Sequence, residues 1–112
     1  MSRPLLRSVE ISAAKLREMF AEAKIEERAA AGELSIVFRK SNPARKELGM
    51  PAGTLGQFID YVDAQGNTVA SAHRYLKPDG TLAASGKLDP KALVQNGVRY
   101  TLWWGGPPTF NR

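Results

Sequence analysis

The sequence contains no cysteine and only one histidine, His73. Without cysteine the chain cannot form a disulfide, a thiolate zinc site or a cysteine nucleophile. One histidine also excludes a site with several imidazole ligands, which leaves carboxylate and carbonyl oxygens as ligands for a hard cation. Glu18, Glu22 and Glu26 are spaced by four residues, but such a row is typical of the solvated face of a helix. We therefore expect no metal site and no cofactor.

Long hydrophobic runs are also missing. No stretch approaches the roughly 20 apolar residues of a membrane-spanning helix, and no apolar core of a signal peptide follows the first arginines. With 43% apolar and 24% charged residues, the composition is that of a globular domain. We therefore expect a cytoplasmic protein without a membrane partner. Its 112 residues suit one domain, which we place at residues 1–104, before a Gly/Pro tail at residues 105–112.

Positive charge is in excess and unevenly distributed. The net charge is +5 at pH 7, and residues 34–112 carry ten basic but only five acidic side chains. Residues 12–33, in contrast, carry one more acidic than basic side chain. A basic surface favours anionic partners, either nucleic acid or an acidic protein surface.

Residues 12–32 have the pattern of one long amphipathic helix. Ser12 is a suitable N-cap and Gly32 a suitable C-terminal residue. Apolar residues recur at helical spacing between them, at Ala13, Leu16, Met19, Phe20 and Ala23. Ile25 falls on the opposite side of such a helix. It marks either a contact with a partner chain or a bend in the helix.

Alternating apolar and polar residues predict four strands, at residues 34–40, 57–63, 68–76 and 98–104. Shorter strands are expected at residues 5–11 and 81–85. Two short helices are expected at residues 42–49 and 89–97, because each segment begins with Asn or Asp before Pro and ends in Gly. We therefore predict an α+β domain in which a long N-terminal helix packs on a four- to five-stranded antiparallel sheet, with two short connecting helices.

Proline and glycine explain much of residues 73–97 without any chemistry. Residues 77–80, Lys-Pro-Asp-Gly, have the pattern of a type I turn. The succession of Asp-Gly, Ser-Gly and Asp-Pro-Lys at residues 79–80, 85–86 and 89–91 resembles a pattern of short bacterial proteins, and this resemblance implies no activity.

Several enzyme classes are excluded by missing motifs. There is no Gly-x-Ser-x-Gly and no second histidine, which argues against a serine hydrolase. No glycine-rich segment ends in Lys-Ser or Lys-Thr, so a phosphate-binding loop is absent. Asp60 and Asp63 could flank a site, but Asp63 is better explained as the residue that opens a hairpin turn.

A basic cluster suggests contacts with phosphate groups. It comprises Arg39, Lys40, Arg45 and Lys46, and Lys87 adds a further cation. Clustered cations are sufficient for contacts with a nucleic-acid backbone, because that affinity is largely electrostatic. Our first hypothesis is therefore a small, basic, non-enzymatic module that binds RNA or single strands.

Aromatic residues near the end of the last predicted strand support the same hypothesis. Tyr100 and Trp104 alternate onto its apolar side and are expected in the core. Trp103 alternates onto the polar side and is expected to be exposed, where it could stack on a base. The second hypothesis is a protein–protein interaction module or homodimer, which would use Ile25, Trp103 and the tail.

The third hypothesis is an enzyme. By strand alternation His73 and Tyr75 share one face and Arg74 points away; if that face is the core, His73 is a buried structural residue. A helix followed by an antiparallel meander, with such residues at one edge, resembles small bacterial RNase toxins, which need no metal. The resemblance implies that His73 or Tyr75 moves protons, while Lys91 and Arg99 stabilise the charge on the phosphate.

Overall fold

The computed structural model describes residues 6–83 and 86–103. These residues form a small α+β domain. In chain order its elements are β1 (Arg7–Ile11), α1 (Ala13–Glu22), α2 (Ile25–Ala30), β2 (Ser35–Pro43), a 3₁₀ helix (Lys46–Leu48), β3 (Leu55–Val62), β4 (Thr68–Leu76), β5 (Asp89–Gln95) and β6 (Val98–Leu102). The predicted domain boundary and tail lie outside the described residues.

The strands form one mixed sheet in the order β1-β6-β5-β4-β3-β2. Strand β1 pairs in parallel with β6, and every other neighbouring pair is antiparallel. The predicted fold is therefore wrong: the sheet has six strands and is not purely antiparallel, and no long N-terminal helix is present among the described residues. The two short connecting helices are also wrong, since one segment is largely strand and 3₁₀ helix and the other is a strand.

The predicted long helix is divided in two at Lys24. Ser12 does cap α1, because its Oγ accepts a hydrogen bond from the Lys15 amide at 3.1 Å. Lys24, however, adopts a left-handed conformation with φ 58° and ψ 37°, which a continuous helix cannot contain. The reversal turns Ile25 into the core, where it is 1% exposed. Ile25 therefore marks a bend and is not available to a partner chain.

The segment predicted as the second short helix is the central strand β5. Ala92 and Leu93 are buried between the neighbouring strands. Asn96 and Gly97 both have positive φ, 51° and 76°, as the two-residue turn of a β-hairpin requires. The Gly that we interpreted as a helix end therefore turns the chain from β5 into β6.

The short helix predicted at residues 42–49 is also wrong, for a different reason. Strand β2 continues through Pro43, which pairs with Leu55. Proline is tolerated there because β2 is an edge strand and the missing amide breaks no ladder. Only Lys46–Leu48 form a 3₁₀ helix.

The short strand expected after β4, at residues 81–85, is not a full strand in its described part. The turn itself forms, with the Gly80 amide donating to the Lys77 carbonyl at 2.9 Å. Beyond it, a single bridge joins Leu76 to Leu82, and residues 84–85 lie outside the described part of the chain.

The core lies between the two helices and one face of the sheet. Its buried residues include Leu16, Phe20, Ile25, Leu34, Ile59, Tyr61, Ala70, Ala72 and Leu93. Tyr100 and Leu102 pack against this cluster, as their alternation predicted, whereas Trp104 lies outside the described residues. In the described ranges, neither helix has the length and apolar character needed to cross a membrane.

Candidate nucleic-acid interface

Helices α1 and α2 both pack on the core side of the sheet, and we call the other side the open face. Strand alternation assigns its side chains: since Ile59 and Ala72 point into the core, Phe58 and His73 point away from it. The sequence-based hypotheses left open whether His73 lies in the core. It lies on the open face and is half-buried.

Three rings lie together on this face, and we call Phe58, His73 and Tyr75 the aromatic cluster. The His73 ring lies 4.6 Å from that of Phe58 and 4.7 Å from that of Tyr75, measured between centroids, and both contacts are edge-to-face. Such geometry is the favoured arrangement of ring pairs. Phe58 remains 38% exposed, so part of the residue is accessible to a ligand.

Gly56 makes room for this cluster. The register places it between Asn42 on β2 and Tyr75 on β4. A Cβ at Gly56 would lie 3.2 Å from the Tyr75 Cε1 and 3.6 Å from the His73 Nε2. The missing side chain leaves a concave pocket of about 160 Å³ next to the rings, which we call the aromatic pocket.

Two cations line the aromatic pocket, Lys40 and Arg45. Lys40 is directly opposite Phe58 in the sheet, and Arg45 precedes the 3₁₀ helix. Among the described residues neither side chain forms an ion pair or hydrogen bond, unlike Arg39, whose Nε lies 3.0 Å from the Asp60 carboxylate. Their charge is therefore available to an anion in or beside the pocket.

His73 is bordered by a third cation. The register places Asp89 opposite His73, and Asp89 holds the Lys91 ammonium at 2.9 Å. Burial lowers the pKa of His73 below its ordinary value of 6.5, and the charge of Lys91 lowers it further, while Asp89 opposes both effects. His73 is therefore neutral at pH 7, and its ring packs with the others without a charge.

This lowered pKa predicts a loss of stability in mild acid. Because unfolded His73 binds a proton near pH 6.5 and folded His73 only at lower pH, protonation favours the unfolded state. The His73 contribution is complete above pH 6.5 and is lost as the pH falls through the lowered pKa. Between pH 7.5 and pH 5 the free energy of unfolding of the wild type, measured with urea, should therefore fall by an amount that is absent from the His73→Phe variant.

The control for this prediction is the difference in unfolding free energy between the wild type and His73→Phe. Carboxylates titrate in both, so their effect cancels when the His73→Phe unfolding free energy is subtracted from that of the wild type. The difference should be constant above pH 7.5 and change below pH 6.5. A difference that does not depend on pH would contradict the assignment of a lowered His73 pKa.

A second and larger depression lies beside the aromatic pocket on the open face. This wide concavity has a volume of about 680 Å³. Its lining includes Arg39, Asp60, Ser71, Val94 and Arg99. Asp60 accepts a hydrogen bond from the Ser71 hydroxyl at 2.6 Å. It also forms the ion pair with Arg39.

The structure brings together three of the four residues suggested for catalysis. His73 and Tyr75 are in ring contact, and Lys91 is close enough to His73 to affect its pKa. Arg99 lines the wide concavity and not the aromatic pocket. Arg74 lies on the helix-covered face, as alternation predicted, where its Nε donates to the Gln57 Oε1 at 2.8 Å.

The remaining predicted binding residues are more scattered. Lys46 and Lys87 are exposed. Trp103 is 42% exposed, as expected, and its amide extends the β1–β6 ladder by donating to the Ile11 carbonyl at 2.7 Å. None of the three lines the aromatic pocket or the wide concavity in the described part of the chain.

Phe58 is the site residue that sequence reasoning missed. In residues 57–63 it alternates with Ile59 and Tyr61, so it lies on the same side as Asp60. An aromatic residue on the polar side of a strand is the signal that could have identified it. Gly56, immediately before it, marks the close approach of a ring.

The described residues contain no group of three or more side chains suited to hold a metal ion. Comparison of the chain with protein-family models, with curated proteins and with solved structures finds no match.

Proposed function

We propose that the open face binds single-stranded nucleic acid, without catalysis, in the cytoplasm. The observation that carries this proposal is the aromatic cluster beside Lys40 and Arg45, two cations without a partner in the described structure. Proteins that bind single strands combine rings on which bases stack with positive charge along the backbone. Stacking rings and positive charge are both present around the aromatic pocket.

The arrangement favours single strands over a duplex. Bases in a duplex are stacked on each other and cannot reach a ring in a sheet-face pocket. Duplex readers commonly insert a helix into the major groove, but α1 and α2 pack on the opposite face of this sheet. The first turn of α2 is also acidic, with Glu26 and Glu27, which disfavours contact with phosphates.

A salt titration tests the proposal. Affinity for a fluorescent single-stranded RNA should fall linearly as the logarithm of salt concentration rises. The double variant Lys40→Ala, Arg45→Ala should reduce this slope by about 1.4, since each lost phosphate contact on a single strand contributes about 0.7. Fluorescence anisotropy at several salt concentrations measures both quantities.

The matched control is the double variant Lys15→Ala, Arg17→Ala. It removes the same two residue types from the exposed surface of α1, so its net charge is identical. Its slope should equal that of the wild type. No binding at low salt, or equal slopes for the two double variants, would contradict the proposal. Displacement of the RNA by polyglutamate at equal charge would instead indicate an acidic protein surface as the partner.

The ribonuclease hypothesis remains a second candidate because His73, Tyr75 and Lys91 lie together on the open face. In that reaction the ribose 2′-hydroxyl would lose its proton to His73 or Tyr75 and attack the adjacent phosphorus, and the bond from phosphorus to the 5′-oxygen of the next nucleotide would break as that oxygen gains a proton. Incubation of labelled RNA with the protein in excess chelator tests it. Cleavage that His73→Ala abolishes would favour the enzyme, and intact RNA would eliminate it.

A further inference from the structure

A carboxylate lies next to the aromatic cluster on a face that is otherwise suited to anions. Asp60 follows Phe58 by two residues on β3, so the two side chains point to the same face. The Asp60 side chain is only 15% exposed. It lines the wide concavity, where its position is held by Ser71 and Arg39.

The Asp60 carboxylate has acceptor capacity left over. An ionised carboxylate offers about four lone-pair positions and no donor. Ser71 and Arg39 occupy two of them, and both contacts use Oδ1. A further ligand atom at Asp60 must therefore be a hydrogen-bond donor. Phosphate oxygens are acceptors only, whereas the amino groups of bases are donors.

The spacing suits a base that stacks on Phe58. Side chains two residues apart on one strand are separated by about 7 Å. A base that lies over the Phe58 ring and extends one hydrogen bond of about 2.9 Å covers this distance. Arg39 offsets the negative charge of Asp60. The phosphate backbone of a bound nucleic-acid strand is therefore not repelled.

We propose that Asp60 selects the base that stacks on Phe58, favouring bases with an amino group (cytosine, adenine and guanine) over uracil or thymine. This inference rests on the proposed function, because it concerns the same bound strand. Uracil presents one ring N–H between two carbonyl oxygens, and a carboxylate repels those oxygens. In cytosine an amino group takes the place of one of these two carbonyl oxygens.

Cytosine and uracil form the decisive comparison. Their rings have the same size, so their stacking on Phe58 is similar, and they differ mainly in the groups that meet Asp60. Oligo(C) should bind about tenfold more tightly than oligo(U) of equal length and at equal salt, which corresponds to one discriminating hydrogen bond. Anisotropy competition against one labelled RNA measures the ratio.

Asp60→Asn should abolish this preference. The amide can donate to the uracil oxygen as well as accept from cytosine, so the affinity ratio should approach one. The ratio is the relevant quantity because loss of a negative charge increases affinity for every strand. Glu22→Gln removes one negative charge from the exposed surface of α1 and should preserve the preference, and urea unfolding confirms that each variant is folded.

The outcomes separate this inference from the proposed function. Absence of binding to both oligomers overturns the proposed function itself. Equal affinities of the wild type for oligo(C) and oligo(U), or an unchanged ratio in folded Asp60→Asn, overturn the role of Asp60 and leave the proposed function standing. Equal affinities for oligo(C) and oligo(U), together with a preference for RNA over DNA that Asp60→Asn removes, would assign the carboxylate to the 2′-hydroxyl instead and would also overturn base selection.

Discussion

Leu16→Ala is expected to lower the free energy of unfolding by about 2–5 kcal/mol. Leu16 is 0% exposed and belongs to the central core cluster. Helix α1 has ten residues, which is too short to be stable in water without tertiary packing. Its contacts with β5 and β6 therefore hold it on the sheet. Such a loss is a large part of the total free energy of unfolding of a typical domain, which is roughly 5–15 kcal/mol.

Urea denaturation followed by circular dichroism measures this change, and Leu48→Ala is the matched control. Leu48 is 40% exposed at the end of the 3₁₀ helix, so the same substitution there should cost less than about 0.5 kcal/mol. Equal losses at the two positions would show that α1 does not pack as described.

Local sequence patterns predicted the elements whose signals are local. Strand β4 has the predicted bounds, and β2, β3 and β6 lie close to theirs. In β3 the alternation reflects one buried and one less buried face, whereas every residue of the edge strand β2 is exposed. The Ser12 cap and the apolar residues Leu16 and Phe20 were also identified correctly. Each of these features depends on neighbours within a few residues.

The errors came from non-local pairing and from ambiguous turns. Nothing within residues 7–11 specifies a parallel partner some 90 residues later. Lys24 carries no local signal for a left-handed conformation, which is fixed by the burial of Ile25. Asn96-Gly97 fits both a helix end and a hairpin turn, and the pairing of β5 with β4 and β6 decides between them.

The candidate site was predictable in part. Alternation correctly placed His73 and Tyr75 on one face and Arg74 on the other. The basic cluster identified Lys40 and Arg45, but only the register of β2 with β3 shows that Lys40 faces Phe58. Arg99 could not be separated from His73 by sequence, because their distance depends on the order of the strands.

Phe58→Ala is expected to weaken binding of single-stranded RNA by about 1–3 kcal/mol, the contribution of one stacked base. This corresponds to a factor of roughly 5 to 150 in the dissociation constant. Phe58 is the most exposed ring of the aromatic cluster and lies between Lys40 and His73 in the sheet. Anisotropy at fixed salt measures the change.

Phe38→Ala is the control, because the two phenylalanines differ mainly in the face they occupy. Phe38 is 55% exposed but pairs with Ile59 and lies under the Arg74 guanidinium, on the helix-covered face. Its loss should leave RNA affinity unchanged. Phe58→Ala should also keep the wild-type salt slope, since it removes no charge, whereas the Lys40 and Arg45 variant changes that slope. Equal effects of Phe58→Ala and Phe38→Ala would place the RNA elsewhere than on the open face.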